Sequence, residues 1–169
     1  AYAKVDGIIR AQGGNVRITG TDRVELSGGI DVTSSSGKGG EVIIEGRNLE
    51  LGSSAVVDAS GDSGGGNIQI GGGFQGRNAT IKNADSLKVQ SGSVIISDAG
   101  TSGSGGNVIL WSDGDTLFEG SLSARGVSNG GFAEISGKQN LGFDGIVDLT
   151  AISGPAGTLL LDPTDVTIS

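Results

Sequence analysis

The chain has 169 residues, with 34 Gly, 2 Pro and no Cys, Met or His, so disulfides, thiolate centres and imidazole metal sites are excluded. Eleven Lys and Arg against nineteen Asp and Glu leave a formal charge of −8, which excludes the basic stripe nucleic acid requires and opposes an anionic membrane surface. Gly follows no three-residue period, which excludes collagen, and the 35% of hydrophobic residues alternate too regularly for a disordered Gly/Ser tract.

One phrase recurs: GGNVRI at 13–18, GGEVII at 39–44, GGNIQI at 65–70 and GGNVIL at 105–110, then more loosely GGFAEI at 130–135 and AGTLLL at 156–161. Its second residue falls at Gly14, Gly40, Gly66, Gly106, Gly131 and Gly157, in steps of 26, 26, 40, 25 and 26. A fixed period of this size marks stacked units, none of which can bury its apolar face alone.

In chain order, KVDGIIRAQ (4–12) matches the later FEGSLSARG and FDGIVDLTA and is predicted to be the last strand of a coil whose beginning is missing. The chain is therefore read as one β-helix segment over 1–169, a fragment of a longer protein. From Gly13 to Lys38, Val16 and Ile18, then Val24 and Leu26, then Ile30 and Val32 alternate with polar residues, predicting three short strands with one buried face each. The glycines between them are expected to supply turn backbone angles that side chains resist. The second coil repeats the pattern with Val42 and Ile44, Leu49 and Leu51, Val57 and Ala59.

The third coil begins with Ile68 and Ile70, and the surplus behind its 40-residue step lies near GGGFQGRNATIKNA, 71–84. Such insertions form surface loops and often mark a binding face. The fourth carries Val108, Leu110, Phe118, Leu122 and Ala124, and alternation there leaves open which of Leu117 and Phe118 points inward. Ile135, Leu141, Phe143 and Val147 build the fifth, and GTLLLDPTDVTIS opens a sixth, with Pro163 expected at an edge, corner or bulge.

Strands that return every ~26 residues can pair with their own copies one coil away. The predicted fold is all-β, a right-handed parallel β-helix with about 25–26 residues and three short strands per coil. A β-sandwich is the rival, but gives no reason for a constant period. The longest pure apolar run is Val108–Trp111, far too short to span a bilayer, and no signal peptide is visible at the start.

The stretches GGNVILWSDGDTLFEGSLSARG (105–126), GGFAEISGKQNLGFDGIVDLTA (130–151) and GTLLLDPTDVTI (157–168) resemble the filamentous-haemagglutinin-like exoproteins of Gram-negative bacteria, large adhesins exported by two-partner secretion. IGGGFQGRNATIKNA (70–84) is similar to the segment preceding those motifs, whereas 1–64 shares only the general repeat. The resemblance implies a right-handed β-helix, a secreted or cell-surface location, export of the full-length protein through an outer-membrane partner, and attachment to a host-surface receptor or glycan. No region matching the family's secretion signal is visible, so direct contact with the transporter is not expected of this chain. The family brings no catalytic residues to these motifs.

Other constellations are weak. Asp31, Asp58, Asp98 and Asp148 fall at similar points of the third strands and could form a column holding Ca²⁺. The alternative is four solvated corners, since stacked like charges repel and Ser123 interrupts the series. Asn15, Asn67 and Asn107 share a position that suits a turn contact or short amide ladder. Phe74 and Arg77 in the insertion, with Trp111, form the candidate binding surface. Alternation from Val108 and Leu110 turns Trp111 outward, either free to stack on a sugar or packed beneath the inserted loop. Gly71–Gly73 lacks the Gly-Lys-Ser/Thr and helix of a phosphate loop.

No catalytic residues or cofactor are expected, with Ca²⁺ as the one ion considered. The expected function is a non-enzymatic scaffold of an adhesin. The alternatives are a polysaccharide-binding or -degrading β-helix and the stalk of a contact-dependent toxin protein.

Overall fold

A computed structural model describes residues 1–168 of the chain. In chain order the strands are β1 (Tyr2–Val5), β2 (Ile8–Arg10), β3 (Asn15–Thr19), β4 (Arg23–Leu26), β5 (Gly29–Asp31), β6 (Glu41–Glu45), β7 (Asn48–Leu51), β8 (Val56–Asp58), β9 (Asn67–Ile70) and β10 (Ser86–Val89). They continue with β11 (Val94–Ile96), β12 (Asn107–Ser112), β13 (Asp115–Phe118), β14 (Ser121–Ser123), β15 (Phe132–Gly137), β16 (Asn140–Phe143), β17 (Ile146–Asp148), β18 (Thr158–Leu160) and β19 (Asp165–Ile168).

Every third strand pairs, giving sheets β3-β6-β9-β12-β15-β18, β1-β4-β7-β10-β13-β16-β19 and β2-β5-β8-β11-β14-β17. All these ladders are parallel, so pairing runs between successive windings: the chain is a parallel β-helix with three strands per coil, and the sandwich is excluded. The N-terminal stretch corrects one expectation, since residues 4–12 contribute to two strands, β1 and β2, instead of one.

The register stacks like on like. Val16 pairs with Val42, Val42 with Ile68, Ile68 with Val108 and Val108 with Ala133, all buried in one interior cluster. Parallel strands whose inward residues are Val, Ile and Leu present the β-branched and aliphatic surface that pleated layers pack well. In the fourth coil the ambiguous pair resolves in favour of Phe118, which is buried and stacks on Phe143 with centroids 5.4 Å apart, while Leu117 is turned out. Buried hydroxyls are satisfied: Thr116 Oγ1 donates to the Ser136 carbonyl at 2.9 Å and lies 2.8 Å from Ser112 Oγ, and Ser97 Oγ donates to the Gly66 carbonyl at 3.0 Å. Pro163 falls between β18 and β19, at a corner as expected.

The repeated glycines serve a purpose other than the one expected of them. Gly40, Gly66, Gly106 and Gly131 are not among the positive-φ residues. A Cβ at Gly40 would collide with the Gly14 carbonyl, one at Gly66 with the Gly40 carbonyl, and one at Gly106 with the Gly66 carbonyl. Each corner sits directly on the corner one coil away, so the requirement is space between windings, not turn angles.

The surplus residues leave this frame without disturbing it. Gly71 N–H donates to Ile44 O at 2.9 Å and Ala84 N–H donates to Gly71 O at 2.8 Å, so the chain departs and returns at one neck. The ladder continues across the long step, with Ile70 opposite Leu110.

Candidate functional site

The strands β3, β6, β9, β12, β15 and β18 turn one face to the interior and the other outward. On the outer face Arg17, Ile43, Gln69, Ile109, Glu134 and Leu160 lie in one row, and Trp111 pairs with Ser136 in the next. Residues 72–83 fold back over this face. Ile81, Ile109 and Trp111 are buried yet stand apart from the interior cluster, making a second, smaller apolar layer beneath the insertion.

Two buried carboxylates rise from the sheet to meet the insertion's backbone. Glu45 Oε2 accepts the Lys82 N–H at 2.8 Å, while its Oε1 accepts from Arg17 Nε at 2.9 Å and Thr19 Oγ1 at 3.1 Å. Glu134 Oε2 accepts the Gln75 N–H at 3.0 Å. Arg17 Nη2 adds a bond to the Thr80 carbonyl at 2.8 Å. Asn83 Nδ2 ties the insertion to itself through Gly76 O at 2.9 Å and to the coil through Asp113 Oδ1 at 3.1 Å. These bonds satisfy backbone groups that would otherwise lie unpaired against the sheet.

Trp111 points away from the interior, as alternation requires, but only 5% of its surface is exposed. The packed alternative therefore holds, and Trp111 is no free stacking platform. Its ring lies against Gly76, whose φ of +63° and absent side chain allow contact that a Cβ, 2.6 Å from Cε2, would forbid. The indole N–H donates to Asp113 Oδ1 at 3.0 Å. Phe74 is 50% exposed and meets Phe132 edge-on, centroids 5.8 Å apart. Arg77 is exposed and, with the indole edge, Asn83, Asp113, Lys138 and Asp162, lines a polar cleft of about 480 Å³. The structure thus gathers Arg77 and Trp111 into one cleft and leaves Phe74 outside its lining.

The acidic column is not formed. Asp31 pairs with Asp58, but Asp58 faces Ile96 and Ile96 faces Ser123, so Asp98 lies past the end of its strand and out of register. Asp31 and Asp148 each accept both the N–H and the hydroxyl of the Thr two residues on, and Asp58 accepts the Ser60 N–H. The Thr33 and Thr150 hydroxyls, then the same residues' N–H groups, hold the Asp31 and Asp148 carboxyls below the usual carboxylate range. Asp98 instead takes Arg125 Nε and Nη2 at 2.9 and 2.7 Å, which raises the Arg125 pKa further. These aspartates are corner caps and an ion-pair partner, and no group of three acidic residues suited to a metal ion occurs among the described residues. Of the three asparagines, two form a single amide rung, Asn107 Nδ2 donating to Asn67 Oδ1 at 3.0 Å; Asn67 Nδ2 then donates to Glu41 Oε1 at 3.0 Å, and Glu41 separates Asn15 from the pair.

Glu45, Asn83, Asp113, Glu134, Lys138 and Asp162 were not singled out from the sequence. An acid at an outward strand position, as Glu134 occupies opposite Ile109, looks like an ordinary solvated residue until the insertion is known to fold onto it.

No family model matches the chain, and no curated protein does. Among solved structures the chain is similar to the crystal structure of the HMW1 secretion domain from Haemophilus influenzae, with a TM-score of 0.57 and 25% identity. The likeness covers 99% of this chain, including residues 1–64 where the motifs are least specific, and 49% of that one, so the chain spans about half the length of the structure it matches. That structure is described as a secretion domain. Among the described residues no helix is long and apolar enough to cross a membrane. Motif resemblance and structural likeness converge, and the chain is similar to the filamentous-haemagglutinin-like β-helix proteins of two-partner secretion.

Proposed function

We propose that this chain is a non-enzymatic β-helical segment of a large secreted or surface-attached adhesin, exported through an outer-membrane partner. The coil stack serves as a rigid scaffold, and the insertion offers the attachment surface through Phe74, Arg77 and the cleft edged by Trp111. The observation carrying this reading is that the one departure from the coil period is not a free loop. It is pinned to the outer face with an aromatic and a cation turned to solvent, and exposed aromatic and Arg residues anchor interfaces out of proportion to their area. The test is binding of the chain to glycan arrays and host-cell surfaces, compared with Phe74→Ala and Arg77→Ala. A loss of about tenfold in each variant is the expected result. Binding unchanged in both variants removes the insertion from the surface, and absence of any binding leaves the scaffold role alone.

A second reading is favoured by the likeness to a secretion domain. A chain resembling a secretion domain along its whole length could itself engage the transporter, against the expectation that this contact lies elsewhere. Export of a reporter fused to the chain, only when the cognate outer-membrane partner is co-expressed, would support it.

A further inference from the structure

The two carboxylates that hold the insertion differ in how they are compensated. Glu45 faces Arg17, whose guanidinium nitrogens reach its Oε1 at 2.8 and 2.9 Å. Among the described residues no cation is bonded to Glu134, which is fully buried; its Oε2 accepts the Gln75 N–H, and its Oε1 has no hydrogen-bond partner among them. Its ladder neighbours on either side are Ile109 and Leu160. Ser136 Oγ stands beside it while accepting the Asp162 N–H at 3.2 Å, and the insertion supplies Gln75. The charged group acting on Glu134 is Asp162, of the same sign. Arg77, Asp113 and Lys138 line the adjoining cleft, and none is bonded to the carboxylate among the described residues. A buried charge in such surroundings is costly and is relieved by taking up a proton.

The segment pinned there also carries strain. Gln75 has a φ of 53°, the one positive-φ residue other than Gly among those described, and a side chain resists that conformation. Its N–H is the group Glu134 holds.

We infer that residues 72–83 are a strap seated by the proton on Glu134: closed while the carboxyl is neutral, loosened as it ionises, and uncovering Ile109 and Trp111 when it lifts. In the lifted state Glu134 is solvated and titrates near the ordinary value of about 4.3. In the seated state burial first, and Asp162 after it, push the carboxyl up, opposed by the Gln75 N–H and Ser136. The seated form therefore binds more protons across the interval between the two values. Seating is firmest below the ordinary carboxyl value and weakens as pH rises through that interval, by up to about tenfold per pH unit. Above the raised value it levels off. This acid-closed sense is opposite to that of a carboxylate held by a cation.

The chain contains a single Trp, and it lies beneath the strap, so its emission reports seating directly. The experiment is acrylamide quenching of Trp111 across mildly acidic to alkaline pH, with far-ultraviolet circular dichroism confirming that the coils stay folded. In the wild-type chain the quenching constant should rise severalfold with pH, while Glu134→Gln, neutral at every pH, should stay flat at the acid-limit value. The carbon-13 shift of the Glu134 carboxyl in unsubstituted protein should titrate at the same midpoint, a check that needs no variant. Flat quenching in the wild-type chain, an equal titration in Glu134→Gln, or a Glu134 midpoint at or below the ordinary value overturns the inference. The readout involves no receptor, so its failure leaves the adhesin reading standing, and loss of adhesion leaves the strap untouched.

Discussion

The interior column and the layer beneath the insertion are built from neighbouring residues of one strand, yet they are specified in different ways. Leu110 points inward, pairs with Ile70 and Ile135 above and below, and belongs to a cluster that runs along the coil stack. Ile109, one residue earlier, points the opposite way and is just as buried, but outside that cluster, on the face covered by a segment found in one coil alone. Burial in the first case is repeated by every winding, so a lost side chain is felt in the layers on both sides. In the second it depends on a single strap with its own neck, across which the ladder between coils continues. The difference is between a cooperative stack and an appendage resting on it.

Two neighbouring substitutions measure that difference. Leu110→Ala leaves a cavity inside the stack and should cost about 2–5 kcal/mol in chemical denaturation. Ile109→Thr, which an uncovered outward face would tolerate, should instead cost about 1–3 kcal/mol by burying a hydroxyl without a partner. It should also raise Trp111 quenching at every pH, whereas Leu110→Ala should lower global stability ahead of any selective exposure of Trp111. Equal losses, with equal exposure of Trp111, would mean that the strap and the stack unfold as one unit.

The same pair of residues shows what was legible beforehand. Val16, Val42, Ile68 and Val108 occupy neighbouring layers because alternation has period two and the repeat has a fixed length, and both properties are local. The insertion's place was legible too, as the interval that breaks the period. Its landing site was not. The Gln75–Glu134 bond joins residues 59 apart and the Lys82–Glu45 bond residues 37 apart, and neither contact recurs elsewhere to make a pattern. The second Gly of each repeated phrase was found for the wrong reason, since a demand for space between windings and a demand for unusual angles, which Gly13, Gly92 and Gly103 do meet, select the same residue. The aspartate series failed by register: positions counted back from the next Gly ignore that the corner after β11 is longer, which carries Asp98 beyond the strand.

The uncovered outer face of β5 offers the smallest effect and completes the comparison, because there a carboxylate is held by its own corner and not by a strap. Asp31 accepts the Thr33 N–H at 3.1 Å and the Thr33 hydroxyl at 2.7 Å, and those bonds favour its ionised form. Thr33→Val keeps the shape and one donor while removing the other, so at neutral pH it should cost roughly 0.5–1.5 kcal/mol. The pH sense is the reverse of that at Glu134. A carboxyl held below its ordinary value stabilises the fold above that ordinary value, about 3.9 for Asp, and the contribution fades as pH falls through the lowered folded-state value. The gap between wild type and Thr33→Val should therefore be constant from neutral pH down to about 5 and narrow only in stronger acid. A gap that widened on acidification would show Asp31 to be protonated in the folded chain. The corner would then be held as Glu134 is, with burial outweighing the hydrogen bonds that here keep the charge.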